Sequence, residues 1–309
     1  MRKIDGIVPV MLTPFSEKND IDYPGLAALI DWYLASGVDA LFAVCQSSEM
    51  QFLSLDERVA LARFVVQRVN GRIPVIASGH ISDEPDQQIA ELNAMAATGI
   101  DALVLVTNHL DARRQGSAAF FATLDALLAS LPASLPLGLY ECPAPYRRLL
   151  SDEELSYCAG TGRFVVLKDV SCDLPTVTRR VRLVQDTPLS IINANAAIAW
   201  PAMQAGSRGF SGVFTNFHPE LYSWLYHHGA SQPALAQELA TFLSLAAVSE
   251  TLGYPKNAKI YHQRLGTFGS ELCRVNQDDV LEKFWGLSVI LDQIRTGTDH
   301  YKNKITSIR

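Results

Sequence analysis

Residues 165–174 read VVLKDVSCDL, an apolar run that meets a single lysine, Lys168, and turns polar at Asp169, Ser171 and Asp173. Such a run predicts a strand buried on both faces, with the lysine where the strand ends. Burying an unpaired ammonium group is costly. A lysine held there gives up its proton more readily, and the neutral amine attacks carbonyl carbon. The plain alternative is a lysine just past the strand end, in water beside Asp169, as most lysines are. The surrounding sequence decides between them.

Apolar runs of the same kind recur on both sides: IVPVML from Ile7, ALFAVC from Ala40, IPVIAS from Ile73, ALVLVT from Ala102, LPLGLY from Leu135, LSIIN from Leu189 and GFSGVF from Gly209. The segments between them have helical period. Leu26, Leu29, Ile30, Tyr33 and Leu34 share one face, and Leu55, Val59, Ala62, Val66 and Val69 share another. Ser54 with Glu57, and Ser151 with Glu154, read as capping boxes that start helices. The phrases SGVDA, TGIDA and GSRGF end a helix on glycine and launch a strand. Eight strand-then-helix units in about 225 residues predict an α/β fold, a (β/α)8 TIM barrel. An open doubly wound sheet would carry a glycine-rich phosphate turn after its first strand, and TPFSEKND is not one. After Pro219 no strand is expected. Helical stretches run through ALAQELATFLSLAAVSETLG, PKNAKIYHQRLG and QDDVLEKFWGLSVILDQIRTG, read as the eighth barrel helix and an all-helical carboxyl-terminal extension. The expected domains are the barrel over 1–229 and the helical extension, packed on it, over 230–309. The final KNKITSIR is polar and expected to fray.

Composition bounds the function. With 48% hydrophobic and 19% charged residues, the 309-residue chain suits a globular protein with a large core. A net charge of −6, with no basic run, speaks against tracking nucleic acid. The amino end MRKIDGIVPVML breaks at Gly6 and Pro9, short of a signal-peptide core, and no apolar run is long enough to span a bilayer. Five cysteines without metal-type spacing read as reduced thiols, so a cytoplasmic protein is expected.

In such a barrel, chemistry sits at the carboxyl ends of the strands. Strand two ends in CQSSEM, strand three in SGH, strand four in TNHL, strand five in YECP, strand six in LKD, strand seven in NAN and strand eight in the GVFTN region. A lysine, a tyrosine and a serine pair therefore converge over one apolar floor. This order, with a hydroxyl-rich turn and glutamate after strand two, tyrosine near proline after strand five, and lysine followed by Asp-x-Ser-x-Asp after strand six, resembles the dihydrodipicolinate synthase / N-acetylneuraminate lyase family of pyruvate-type class I aldolases. GIVPVMLTPF, IDYPGLAALIDWYLASGVDALF and PKNAKIYHQRLG are also similar to that family's first βα unit and carboxyl-terminal segment.

The resemblance implies that Lys168 forms a Schiff base with the keto carbon of pyruvate or a related 2-oxo acid. It implies that Tyr140 shuttles protons and that Ser47 holds the acid's carboxylate. Ser48 stands where the family usually has glycine, where it would add a donor or narrow the mouth. Cys45 and Gln46 replace the usual glycine and first hydroxyl, so Gln46 joins the candidates for substrate contact. Where the family's synthases carry paired tyrosines after strand four, this chain has His109 and Leu110, and imidazole is a candidate relay. The arginine that clamps the second substrate's carboxylate is displaced: Pro145 stands there, with Arg147 and Arg148 just beyond. Because bidentate recognition depends on position, a true dihydrodipicolinate synthase is not expected. Ser211 and Gly212 differ in the stretch that lines the pyruvate pocket, so Ser211 is a further substrate-binding candidate. No cofactor and no metal are implied, and the family's habit implies a homo-oligomer, a tetramer or a dimer.

The leading expectation is a Schiff-base lyase, aldolase or dehydratase, acting on a 2-oxo acid. One competing reading is a barrel that keeps the imine lysine but only binds its ligand, as a regulator. Another is a metal-dependent lyase using His80, His109 and Asp111 as an N/O ligand set. At least one of Cys45, Cys142 and Cys172 is expected to border the pocket.

Overall fold

The computed structural model describes residues 3–307. Eight strands form one parallel sheet in the order β1-β8-β7-β6-β5-β4-β3-β2. They are β1 (Gly6–Ile7), β2 (Leu41–Phe42), β3 (Val75–Ala77), β4 (Ala102–Val106), β5 (Leu137–Tyr140), β6 (Phe164–Asp169), β7 (Ser190–Asn193) and β8 (Gly209–Phe210). The helices after successive strands are α1 (Tyr23–Ala35), α2 (Leu55–Val69), α3 (Pro85–Ala96), α4 (Ser117–Ser130), α5 (Asp152–Gly160), α6 (Leu174–Val184), α7 (Ala199–Gln204) and α8 (Pro219–His228). The expected (β/α)8 order is present. The sheet curls until residues 9–11 meet β2, where the Phe42 amide donates to the Pro9 carbonyl (2.9 Å) and the Met11 amide to the Phe42 carbonyl (3.1 Å).

The first strand is shorter than the run IVPVML promised. Pro9 has no amide hydrogen, so a continuous ladder stops after Ile7 and single bonds close the barrel. On its other side β1 lies so close to β8 that a Cβ on Gly209 would sit 1.8 Å from the Gly6 carbonyl oxygen, and Gly209 has φ +146°. Only glycine fits there.

Both expected capping boxes form. Ser54 starts α2 with Glu57 reaching back, and Ser151 starts α5 with Glu154. The extension comprises α9 (Pro233–Ala247), α10 (Lys256–Arg264), α11 (Val280–Lys283) and α12 (Leu287–Thr306). The stretch QDDVLEKFWGLSVILDQIRTG, expected as one helical run, thus breaks between Lys283 and Leu287. The expected frayed end is helical through Thr306 instead. Tyr301 and Ile305 continue the buried stripe of Leu287, Leu291, Ile294 and Thr298, and the Lys304 ammonium pairs with Glu238 on α9 at 2.7 Å. The end of α9 packs against the turn Ala196–Ile198 that follows β7, so the extension leans on the rim where the strands end.

Candidate active site

Strand alternation decides what each residue after the apolar run does. Tyr140 pairs in register with Lys168 across β5 and β6, and both turn toward the barrel mouth, while the next residues, Glu141 and Asp169, turn the other way. Those two carboxylates grip one buried guanidinium: Arg180 of α6 donates to Asp169 (2.5 Å) and to both oxygens of Glu141 (2.7 and 3.0 Å). Asp169 also accepts from the amide and hydroxyl of Ser171, and Glu141 from the amides of Leu150 and Val170. The polar segment after Lys168 is therefore a buried clamp fixing the two strand ends.

Lys168 is 7% exposed, with its Nζ 4.4 Å from the Tyr140 ring centroid and 5.8 Å from that of Phe42. Burial lowers its pKa from the usual lysine value; Cys45, Cys142 and Glu250 pull the other way. Burial also pushes both thiols up. They therefore stay protonated and carry no charge, which leaves Glu250 as the carboxylate that favours the ammonium form. Tyr140 is buried and pushed well above the usual phenol value, so it enters any reaction as an acid. Its hydroxyl points at Gln46 Oε1 at 3.5 Å, and Cys142 Sγ donates to the same oxygen.

These groups line a cavity of about 560 Å3 over the strand ends, with Lys168, Tyr140, Gln46 and Ser47 in its wall. The other candidates part company from them. Ser48 is fully buried and faces away: its hydroxyl donates to the Cys45 carbonyl (2.6 Å) and accepts from the Cys45 amide (2.8 Å), holding the turn Gln46–Ser48 rather than adding a substrate donor. Ser211 lies in the packed barrel interior below Lys168, donating to the Val8 carbonyl at 2.8 Å. His109 pairs with Asp83 (2.7 Å) and packs on His80 outside the cavity. Arg147 is exposed, donating to the Val170 carbonyl at 3.2 Å from a separate surface depression that also holds Arg148. Ser48, Ser211, His109 and Arg147 are thus corrected as lining residues.

The ligand set of the metal reading does not converge either. His80 accepts the Val106 amide on Nε2 and faces Gln88 Oε1 with Nδ1, so both ring nitrogens are engaged. Asp111 is turned to Arg148 and to the amides of Gln115 and Gly116. Of the three strand-end thiols, Cys172 is exposed and lines the cavity, whereas Cys45 and Cys142 are buried.

The model of the dihydrodipicolinate synthetase family matches residues 3–275. The chain belongs to that family. It is 31% identical over 211 residues to the 4-hydroxy-tetrahydrodipicolinate synthase of Bacillus subtilis, covering 67% of this chain and 70% of that protein. A dihydrodipicolinate synthase from Bacillus anthracis superposes with a TM-score of 0.85 at 23% identity, covering 94% of this chain and 99% of the other. A prophage protein of the dihydrodipicolinic acid synthase family from E. coli K12, solved in complex with pyruvate, superposes with a TM-score of 0.82 at 22% identity, over 94% and 98%. As a member of the dihydrodipicolinate synthetase family, the chain is a Schiff-base lyase. Among the described residues, no helix is long and apolar enough to cross a membrane.

Two cavity residues had no signal among the strand ends, because the extension supplies them. Glu250 and Tyr254 follow α9 and join the wall around Lys168. Glu250 is exposed to the cavity, yet the protein around it pushes its carboxyl up, opposed by Lys168. The Tyr254 hydroxyl lies 3.0 Å from Asn216 Nδ2. The same nitrogen donates to the carbonyls of Val10 (2.9 Å) and Val213 (3.1 Å), and Asn216 Oδ1 accepts from Tyr33. The amide nitrogen has two hydrogens for these three oxygens, and the carbonyls of Val10 and Val213 can only accept, so the Tyr254 hydroxyl is not held as an acceptor and lines the cavity beside Ser47. Tyr254 directly precedes PKNAKIYHQRLG, a segment legible as helix but silent about what its first turn faces.

Proposed function

We propose that this enzyme is a class I aldolase or dehydratase acting on pyruvate or a related 2-oxo acid, and not a true dihydrodipicolinate synthase. The observation that carries the reading is the buried Lys168 amine set against the face of an in-register phenol at the floor of a large cavity. In this reading the neutral amine adds to the keto carbon, Tyr140 protonates the departing oxygen, and water leaves an iminium ion. The phenolate so formed is stabilised by the cation born in the same step. The iminium ion then withdraws electrons from the neighbouring carbon, through which a bond to the rest of the substrate is broken or made. Ser47 holds the acid's carboxylate. Gln46 has no transferable proton, so Tyr254 completes the proton path that a hydroxyl at position 46 would otherwise give. Against a synthase stands Pro145 at the position expected for a carboxylate clamp, with Arg147 turned to the Val170 carbonyl. The free thiols fit a reducing cytoplasm.

Transfer of deuterium from heavy water into the methyl group of pyruvate, followed by NMR, tests the proposal because an enamine on Lys168 opens that exchange at neutral pH. The wild type is expected to exchange the methyl protons, Tyr140→Phe to do so roughly a hundredfold more slowly, and Lys168→Ala not at all. Exchange that survives Lys168→Ala contradicts the reading.

A further inference from the structure

A three-carbon acid leaves most of the 560 Å3 cavity unfilled; pockets of this size hold drug-sized ligands. The wall shared by the β7 loop, the β8 end and the extension is largely apolar, with Ala194, Ala197, Val213, Phe214 and Ala247 in it. Two of its polar atoms are already engaged: Ser244 Oγ donates to the Ala240 carbonyl at 2.7 Å, and Asn195 Oδ1 accepts the Ala197 amide at 2.8 Å. Beyond the Asn195 amide nitrogen, a chain of hydroxyl groups would find few partners on that wall.

Charge narrows the choice further. Besides Lys168, the charged residues lining the cavity are Glu49, which is paired with Lys259, and Glu250. Among the described residues no hydrogen bond or ion pair engages the Glu250 carboxylate, and its electrostatic partner is Lys168 itself. Among the described residues no arginine lines the cavity. An anionic group near Glu250 meets an uncompensated carboxylate instead of a guanidinium fork.

We propose that the compound joined to, or released from, the 2-oxo acid is an uncharged aldehyde bearing an apolar alkyl or aryl group, and that Glu250 is the residue that turns anionic aldehydes away. The inference rests on the proposed function. In the joining direction the enamine carbon attacks the aldehyde carbon, a carbon–carbon bond forms, and the aldehyde oxygen takes the phenol's proton. Water then hydrolyses the imine and frees Lys168. Cleavage is the same sequence reversed, with no other co-reactant.

The test is a panel of aldehydes condensed with pyruvate: butanal and benzaldehyde as apolar, glyceraldehyde as hydroxylated, glyoxylate and succinic semialdehyde as anionic. The apolar pair is expected to give kcat/KM at least about tenfold above the other three. Glu250→Gln is expected to narrow the ratio of apolar to anionic by about fivefold or more, and Arg147→Ala to leave that ratio where it was. Preference for an anionic or hydroxylated aldehyde, a ratio unmoved by Glu250→Gln, or a ratio governed by Arg147 overturns the inference. Methyl exchange separates the two levels: with exchange intact, such a result removes this inference alone, whereas loss of exchange in the wild type removes the imine reading and this inference with it.

Discussion

An amine attacks a carbonyl only in its neutral form, and burial shifts Lys168 toward that form. Because the folded pKa of Lys168 is lowered from 10.5, the neutral amine accumulates at lower pH than in a free lysine. The rate of imine formation should therefore rise with pH through the depressed value and reach its plateau at lower pH than for a free lysine. The Glu250 carboxylate favours the ammonium ion, so Glu250→Gln should move the rising limb to lower pH in stopped-flow measurements with pyruvate. A limb that stays in place, or moves up, would show that Glu250 is not the counter-charge. That Lys168, Tyr140 and Ser47 line one cavity was legible in the sequence, because their positions follow from where strands end. Ser47 and Ser48 illustrate the limit. They are chain neighbours, but the tight turn after β2, which leaves Glu49 at φ +61°, sends one hydroxyl into the cavity and the other back onto Cys45. Sequence spacing does not record which way such a turn faces. His109 and Arg147 were misplaced for the same reason, since loop hydrogen bonds to Asp83 and Val170 carry them away.

The strands hold the amine and phenol in place through what lies behind them. Arg180 is 1% exposed, and its guanidinium ties the ends of β5 and β6 to α6 through two carboxylates that are themselves fully buried. Removing one partner of a buried ion pair leaves an uncompensated charge, at a cost of about 3–5 kcal/mol. Arg180→Met should lower the unfolding free energy by about that amount in chemical denaturation, with slower imine formation in the protein that remains folded. A variant within about 0.5 kcal/mol of wild type would mean that the clamp does not hold the strand ends. The Lys259–Glu49 pair plays a parallel part, joining α10 of the extension to the turn after β2. Both clamps escaped the sequence reading because ion pairs across 39 or 210 positions leave no periodic trace. The capping boxes of α2 and α5 were legible because each is complete within four residues.

Barrel and extension make the site together. The barrel contributes the Lys168 amine and the Tyr140 phenol to the cavity, and the segment after α9 contributes Glu250 and Tyr254, which close it on one side. Hydrophobic period and helix punctuation were enough to read a (β/α)8 barrel followed by helices, since each strand-helix unit repeats the same pattern. The packing of the extension over the rim was not readable in detail, because it depends on side chains meeting across the whole chain. The account as a whole depends on one covalent bond, so the most direct measurement is reduction with borohydride in the presence of pyruvate, followed by proteolysis and mass spectrometry. The prediction is a single reduced pyruvate adduct, carried by the peptide containing Lys168 and absent from Lys168→Ala. No adduct, or an adduct on another lysine, would contradict it.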